Sequence, residues 1–156
     1  MFFSKKFIKA MCIGLAALMG LKHYFIWTHD SIGVGEDGPT HEPIEQLSTF
    51  RAMPNFYTFR PADGAENVEC WKVALNLNAP CAFVCSRQGL NPLDEAKFGS
   101  VANGAYLIKE SKNPQITLVA SGSEVGLCLE AANLLENSDI GVNVVSAPCF
   151  DLLCEQ

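Results

Sequence analysis

The chain has 156 residues, 49% of them apolar and 18% charged, with ten Phe. That composition excludes a disordered chain and supplies enough apolar side chain for a packed core. Eleven basic against 17 acidic residues give a net charge of −6, which argues against a non-specific nucleic-acid binder, because such binding needs a positive surface.

The charge is uneven. Lys5, Lys6, Lys9 and Lys22 lie in a first stretch without any acid, and an apolar run, Ala10–Leu21, follows the first three. This has the shape of a secretory leader. The run is too short to span a bilayer, and no small-x-small cleavage site precedes a polar start. The expected element is therefore an amphipathic helix over 7–20 with no membrane contact, in a cytoplasmic protein.

A continuous apolar run at 23–28 (HYFIWT) predicts a strand covered on both faces. A glycine-rich stretch occupies 29–41. Pro43 suits the first turn of a helix running to about Ala52, and Pro54-Asn55 breaks it. Residues 56–60 (FYTFR) read as a short strand. Asp63, with Glu66 three residues later, forms a capping-box-like start for a helix ending near Leu77. Strand 81–86 (CAFVCS) follows. Residues 87–114 carry Gly89, Asn91-Pro92, Gly99, Asn103-Gly104 and Asn113-Pro114 and read as loop, with a short strand at 106–108. The tail reads strand 115–120, helix 123–136 and strand 142–146. Strands alternating with helices predict an α/β fold built on parallel sheets. A lone βαβ unit does not bury both faces of its strands, so the tail reads as the beginning of a domain.

Seven cysteines (Cys12, Cys70, Cys81, Cys85, Cys128, Cys149, Cys154) are odd in number and irregularly spaced. Cys81 and Cys85 have no second pair or histidine at ligand spacing, so no zinc site is expected. Reduced, mostly buried thiols are the expectation.

The stretch most able to carry chemistry is Thr28–His41 (THDSIGVGEDGPTH). It follows the carboxyl end of a strand and precedes a helix, the place where ligands bind in open α/β sheets. It holds two histidines and the Glu36-Asp37 pair. There is no Gly-Lys-Ser/Thr phosphate loop and no dinucleotide fingerprint.

THDSIGVGEDGPTHEPIEQL resembles the signature of the transketolases. The resemblance continues through LAALMG at 15–20, RAMPN, FRPAD, WKVAL, Ser86-Arg87-Gln88 and ASGSEV at 120–125, and covers about residues 10–150. Deoxyxylulose phosphate synthases share the core of the loop but not its flanks.

The resemblance implies a thiamine-diphosphate enzyme that moves a two-carbon ketol unit from a ketose phosphate to an aldose phosphate, in the pentose phosphate pathway. It implies a divalent metal, Mg or Ca, beside the cofactor. It also implies an active site formed between the first domain of one subunit and the second of its partner in a homodimer. On this basis residues 1–88 are part of the pyrimidine-binding domain, 89–114 a linker and 115–156 the first βαβ unit of a Rossmann-like C-terminal domain. His41 corresponds to the catalytic histidine at the donor's first-carbon hydroxyl. Asp37 corresponds to the aspartate that selects hydroxyl stereochemistry. His29 and Arg87 correspond to groups that hold the substrate phosphate, which suits the two parallel donors of a guanidinium.

Other family features have no counterpart: the Gly-Asp-Gly metal and diphosphate motif, and the glutamate that activates the aminopyrimidine. A gapless register puts the ring-stacking aromatics at Phe2, Lys5 and Ile8, so only Phe2 retains that character. The expectation is a fragment that keeps substrate-binding residues and does not bind the cofactor, or its metal, alone. The alternative is a non-catalytic module or split-chain subunit needing a complementary transketolase chain.

Overall fold

The computed structural model describes residues 5–30, 44–93 and 100–156, with the backbone alone for 5–10. Among the described residues, six strands form two three-stranded sheets. No helix among the described residues is long and apolar enough to cross a membrane.

The first sheet holds β1 (Tyr24–Trp27), β2 (Tyr57–Phe59) and β3 (Cys81–Val84) in the order β1-β3-β2, all parallel. β3 is central, and all four of its residues are buried. An uninterrupted apolar CAFV segment suits that position, since both its faces are covered. The alternation of strand side chains assigns each face. Phe83 stacks on Trp71 of α3 (Gly64–Asn76) at 4.0 Å and on Phe59 at 5.2 Å. Ala82 and Val84 face the other way, with Ile13 and Ala17 of α1 (Lys5–Leu18) and with Phe56. Trp27 stacks there on Phe50 of α2 (Gln46–Arg51) at 4.6 Å. Burial of α1 is one-sided: Met11, Leu15 and Leu18 are exposed.

The second sheet holds β4 (Tyr106–Lys109), β5 (Ile116–Ala120) and β6 (Val142–Ser146) in the order β4-β6-β5. β5 and β6 are parallel across α4 (Glu124–Glu136). β4 pairs antiparallel with β6. The expected α/β fold is present, with a parallel first sheet and a mixed second sheet. The segment before β5 supplies a third strand, so the βαβ unit does not stand by itself. Val142 and Val144 are fully buried with Val125 and Ala132 of α4.

Two local expectations also change. The helix expected from Pro43 begins at Gln46, with Glu45 as N-cap; Pro43 lies outside the described residues. Asp63 caps α3 as expected, accepting from the Glu66 N–H at 2.7 Å. Glu66 does not return to the Asp63 N–H. Its side chain takes the Ala62 N–H at 2.5 Å and points into the core.

The two sheets are joined along β2, an edge strand of the first. The Thr58 N–H donates to Asp151 Oδ2 at 2.8 Å, the Arg60 N–H to the Pro148 carbonyl at 2.8 Å, and the Gly122 N–H to the Arg60 carbonyl at 2.9 Å. Asp151 lies on α5 (Phe150–Cys154). An unpaired edge exposes a row of backbone donors and acceptors. Here the segment 147–151 and the turn at 121–122 occupy it.

Candidate functional site at the carboxyl edge of the first sheet

β1 and β3 are adjacent and in register, Trp27 against Val84, and the Cys85 N–H donates to the Trp27 carbonyl at 2.8 Å. The chain therefore leaves both strands at the same end of the sheet. Thr28-His29-Asp30 emerges from one and Cys85-Ser86-Arg87 from the other. Beside them β2 ends in Arg60-Pro61-Ala62-Asp63. This is the crevice side of a parallel sheet, where a ligand meets loops rather than pleated strand.

His29 is half-buried and Arg87 exposed. The His29 backbone has φ 66, left-handed for a residue with a side chain. The Thr28 hydroxyl lies 2.8 Å from His29 Nδ1. Asp37 and His41 lie outside the described residues, as does Phe2. Of the expected site residues, the structure thus brings His29 and Arg87 to one edge.

The edge is organised by Arg60, the arginine of the FRPAD segment. The Arg60 and Asp30 side chains are 7% and 1% exposed, and Arg60 Nε lies 2.5 Å from Asp30 Oδ2. Arg60 Nη1 donates to the Ser121 carbonyl at 2.6 Å and pairs with Glu124 at the start of α4. Asp30 Oδ1 has no partner among the described residues. Burial alone lowers a guanidinium pKa, but the hydrogen bonds that Arg60 donates to Glu124 and Asp30 outweigh it and hold its pKa above the ordinary value. Burial likewise raises the Glu124 carboxyl, and the bond and charge of Arg60 reverse that to a net lowering. Cys85 sits on the same edge, its thiol raised by burial and then by the nearby Asp30 charge. The signal for Arg60 was a charged residue ending an apolar strand. Only the fold shows that its partners are Asp30 and the α4 turn.

A cleft of about 220 Å³ opens beside this edge, lined by Asp63, Asn67, Cys85, Ser86 and Gln88 among others. A larger cavity of about 450 Å³ lies elsewhere, between the 51–57 segment and α5. Neither His29 nor Arg87 lines it. Among the described residues no group of three or more His, Cys, Asp or Glu side chains is arranged to hold a metal ion. The side chains at the edge, a histidine and an arginine, suit an anion.

The chain matches the family model for the transketolase pyrimidine-binding domain over residues 1–92, and that for the transketolase-like C-terminal domain over residues 104–156. A transketolase of Bacillus subtilis (strain 168) is 52% identical over 145 residues, covering 89% of this chain and 22% of the relative. The solved transketolase of Campylobacter jejuni subsp. jejuni superposes with a TM-score of 0.91 at 66% identity, covering 94% of this chain and 23% of that one. A structure described as a split gene transketolase, inactive beta4 tetramer, superposes with a TM-score of 0.67 at 29% identity, covering 80% of this chain and 39% of that one. The chain spans less than a quarter of the length of the first two.

Proposed function

The chain belongs to the transketolase family, and we propose that it carries the sugar-phosphate-holding edge for transfer of a two-carbon ketol unit from a ketose phosphate to an aldose phosphate. The observation that carries this reading is the in-register exit of β1 and β3, which delivers His29 and Arg87 to one end of the sheet. A guanidinium donates two parallel hydrogen bonds to phosphate oxygens, and a neighbouring imidazole adds a third donor. The acidic net charge is compatible with this, because a local pair recognises the phosphate without a positive field over the whole surface.

Asp37 and His41 are proposed to act farther along the sugar. Asp37 accepts from the hydroxyl next to the acceptor aldehyde and so selects its configuration. His41 contacts the donor's first-carbon hydroxyl. Thiamine diphosphate supplies the carbanion chemistry when bound, and the protein supplies orientation and electrostatics. The chain is proposed not to bind that cofactor or its metal by itself. The reading rests on the sequence of these 156 residues, which contains no Gly-Asp-Gly motif.

Calorimetry of the 156-residue chain tests both parts. Ribose 5-phosphate is expected to bind, and Arg87→Ala to weaken it at least tenfold. Thiamine diphosphate with magnesium is expected to give no binding heat; tight binding there would overturn cofactor incompetence. A second reading, a subunit working with a complementary transketolase chain, is supported by the likeness to the split-gene structure. It predicts a stable complex with a chain carrying the Gly-Asp-Gly motif.

A further inference from the structure

We infer that Asp30 and Arg60 are positioning residues for His29, and that the second sheet helps to shape the phosphate-holding edge through them. The inference rests on the proposed phosphate role of His29 and Arg87.

His29 adopts a left-handed backbone, φ 66, that a β-carbon disfavours. Such a conformation persists only where its surroundings over-determine it. The residue that follows supplies the constraint. Asp30 is held at 2.5 Å by Arg60 Nε, and its side chain is 1% exposed. Arg60 is itself fixed at both backbone and side chain. Its N–H is held by the Pro148 carbonyl and its carbonyl by the Gly122 N–H, while Nη1 is held by Ser121 and Glu124. Gly122, at φ 62, leaves room for it: a β-carbon there would meet Arg60 Cγ and Cζ at 2.9 Å.

A buried ion pair is a poor net stabiliser, because its desolvation offsets its attraction. What this pair does supply is a fixed position. It ties the residue after His29 to the end of β2 and to the first turn of α4. Asp30 therefore restrains the backbone that aims the imidazole, and Arg60 transmits the restraint from the second sheet.

Nuclear magnetic resonance on the 156-residue chain tests this with inorganic phosphate as the probe. The unsubstituted chain is expected to show the strong intraresidue amide–Hα cross-peak of a positive φ at His29, and phosphate-dependent shifts at His29 and Arg87. Asp30→Asn is expected to weaken that cross-peak and to raise the phosphate Kd at least fivefold. Glu124→Gln, altered from the second sheet, is expected to raise Kd at least twofold while the fold persists. Lys72→Met, which removes an exposed ion pair with Glu69, is expected to change neither. An Asp30→Asn chain that keeps both cross-peak and Kd overturns the inference. Should that variant not fold, an unchanged Kd in Glu124→Gln overturns it. Absence of phosphate shifts in the unsubstituted chain sinks the functional reading and this inference together. Binding that is sensitive to Arg87→Ala but insensitive to Asp30→Asn sinks only the inference.

Discussion

Tyr106 Oη donates to Glu66 Oε1 at 2.6 Å, a contact between a strand of the second sheet and the helix that covers the first. Ser146 Oγ donates to the same oxygen at 2.6 Å, and Oε2 holds the Ala62 N–H. Glu66 is fully buried, so these three donors are its means of satisfaction, and it in turn satisfies them. The carboxyl group is a strut between β4, β6 and the loop that carries Arg60.

Removing parts of that strut is expected to have graded costs. Tyr106→Phe deletes one donor and leaves Glu66 with two, for a loss of about 1–2 kcal/mol. Glu66→Ala removes the shared acceptor of two hydroxyls and an N–H from the core, for a loss of about 3–4 kcal/mol. Urea denaturation followed by Trp fluorescence measures both. Equal costs for the two variants would mean that Ser146 and Ala62 find other partners.

Two glycines of the second half are expected to respond in opposite senses to the same substitution. A β-carbon at Gly104 would sit 2.3 Å from the Leu153 nitrogen and 2.4 Å from the Cys149 carbonyl oxygen, both backbone atoms, at φ 79. Gly104→Ala is expected to cost about 3 kcal/mol from overlap and backbone strain. Gly126 lies inside α4 with open space around it. Gly126→Ala is expected to stabilise by about 0.5–1 kcal/mol through helix propensity. Thermal melts of the two variants give the signs directly.

The elements were legible in the sequence where one signal dominated. CAFV is apolar throughout and is the central strand; Asp63 is a short polar residue before a helical pattern and is the N-cap. What escaped was set by pairing across long separations. Local pattern gives β4 no direction, because a strand is parallel or antiparallel only relative to a partner, and its partner β6 lies some 40 residues on. Glu66 fits a local capping box, but three donors from Ala62, Tyr106 and Ser146 draw it inward instead. The same holds at the edge. The placement of His29 and Arg87 just after two strands was legible in the local pattern, whereas the Asp30–Arg60–Glu124 link depends on two sheets meeting.

That link has a pH signature. The Glu124 carboxyl in the folded chain titrates below its ordinary value of 4.5. A lowered folded pKa means that the stability it contributes is present above pH 4.5 and is lost as pH falls through the lower value. The difference in urea midpoint between the unsubstituted chain and Glu124→Gln is therefore expected to be constant at neutral pH and to shrink below about pH 4.5. Asp151 works in the opposite sense. Burial, only partly opposed by the Thr58 N–H, raises it above its ordinary 3.8. Its ionisation thus costs stability above that range, and Asp151→Asn is expected to relieve the cost at neutral pH and not in acid. A Glu124→Gln difference that grows on acidification would contradict the assignment.

Thiol reactivity reports on the same packing. Cys12 and Cys154 are exposed, Cys85 and Cys128 are half-buried, and Cys70, Cys81 and Cys149 are buried. Burial also moves the thiols away from the reactive thiolate, with Cys81 raised to about 11 and Cys149 to about 12. Iodoacetamide near neutral pH is expected to label Cys12 and Cys154 first, Cys85 and Cys128 more slowly, and the three buried residues only on unfolding. Peptide mapping by mass spectrometry orders the adducts. Cys81 lies in β3 opposite Tyr24 and Tyr57, so early labelling there requires β1 or β2 to open from the central strand. Early labelling at Cys149 instead requires separation of the segment that closes the edge of β2, because its neighbours Pro148 and Asp151 hold Arg60 and Thr58. The two sites thus distinguish fraying of the first sheet from parting of the two sheets.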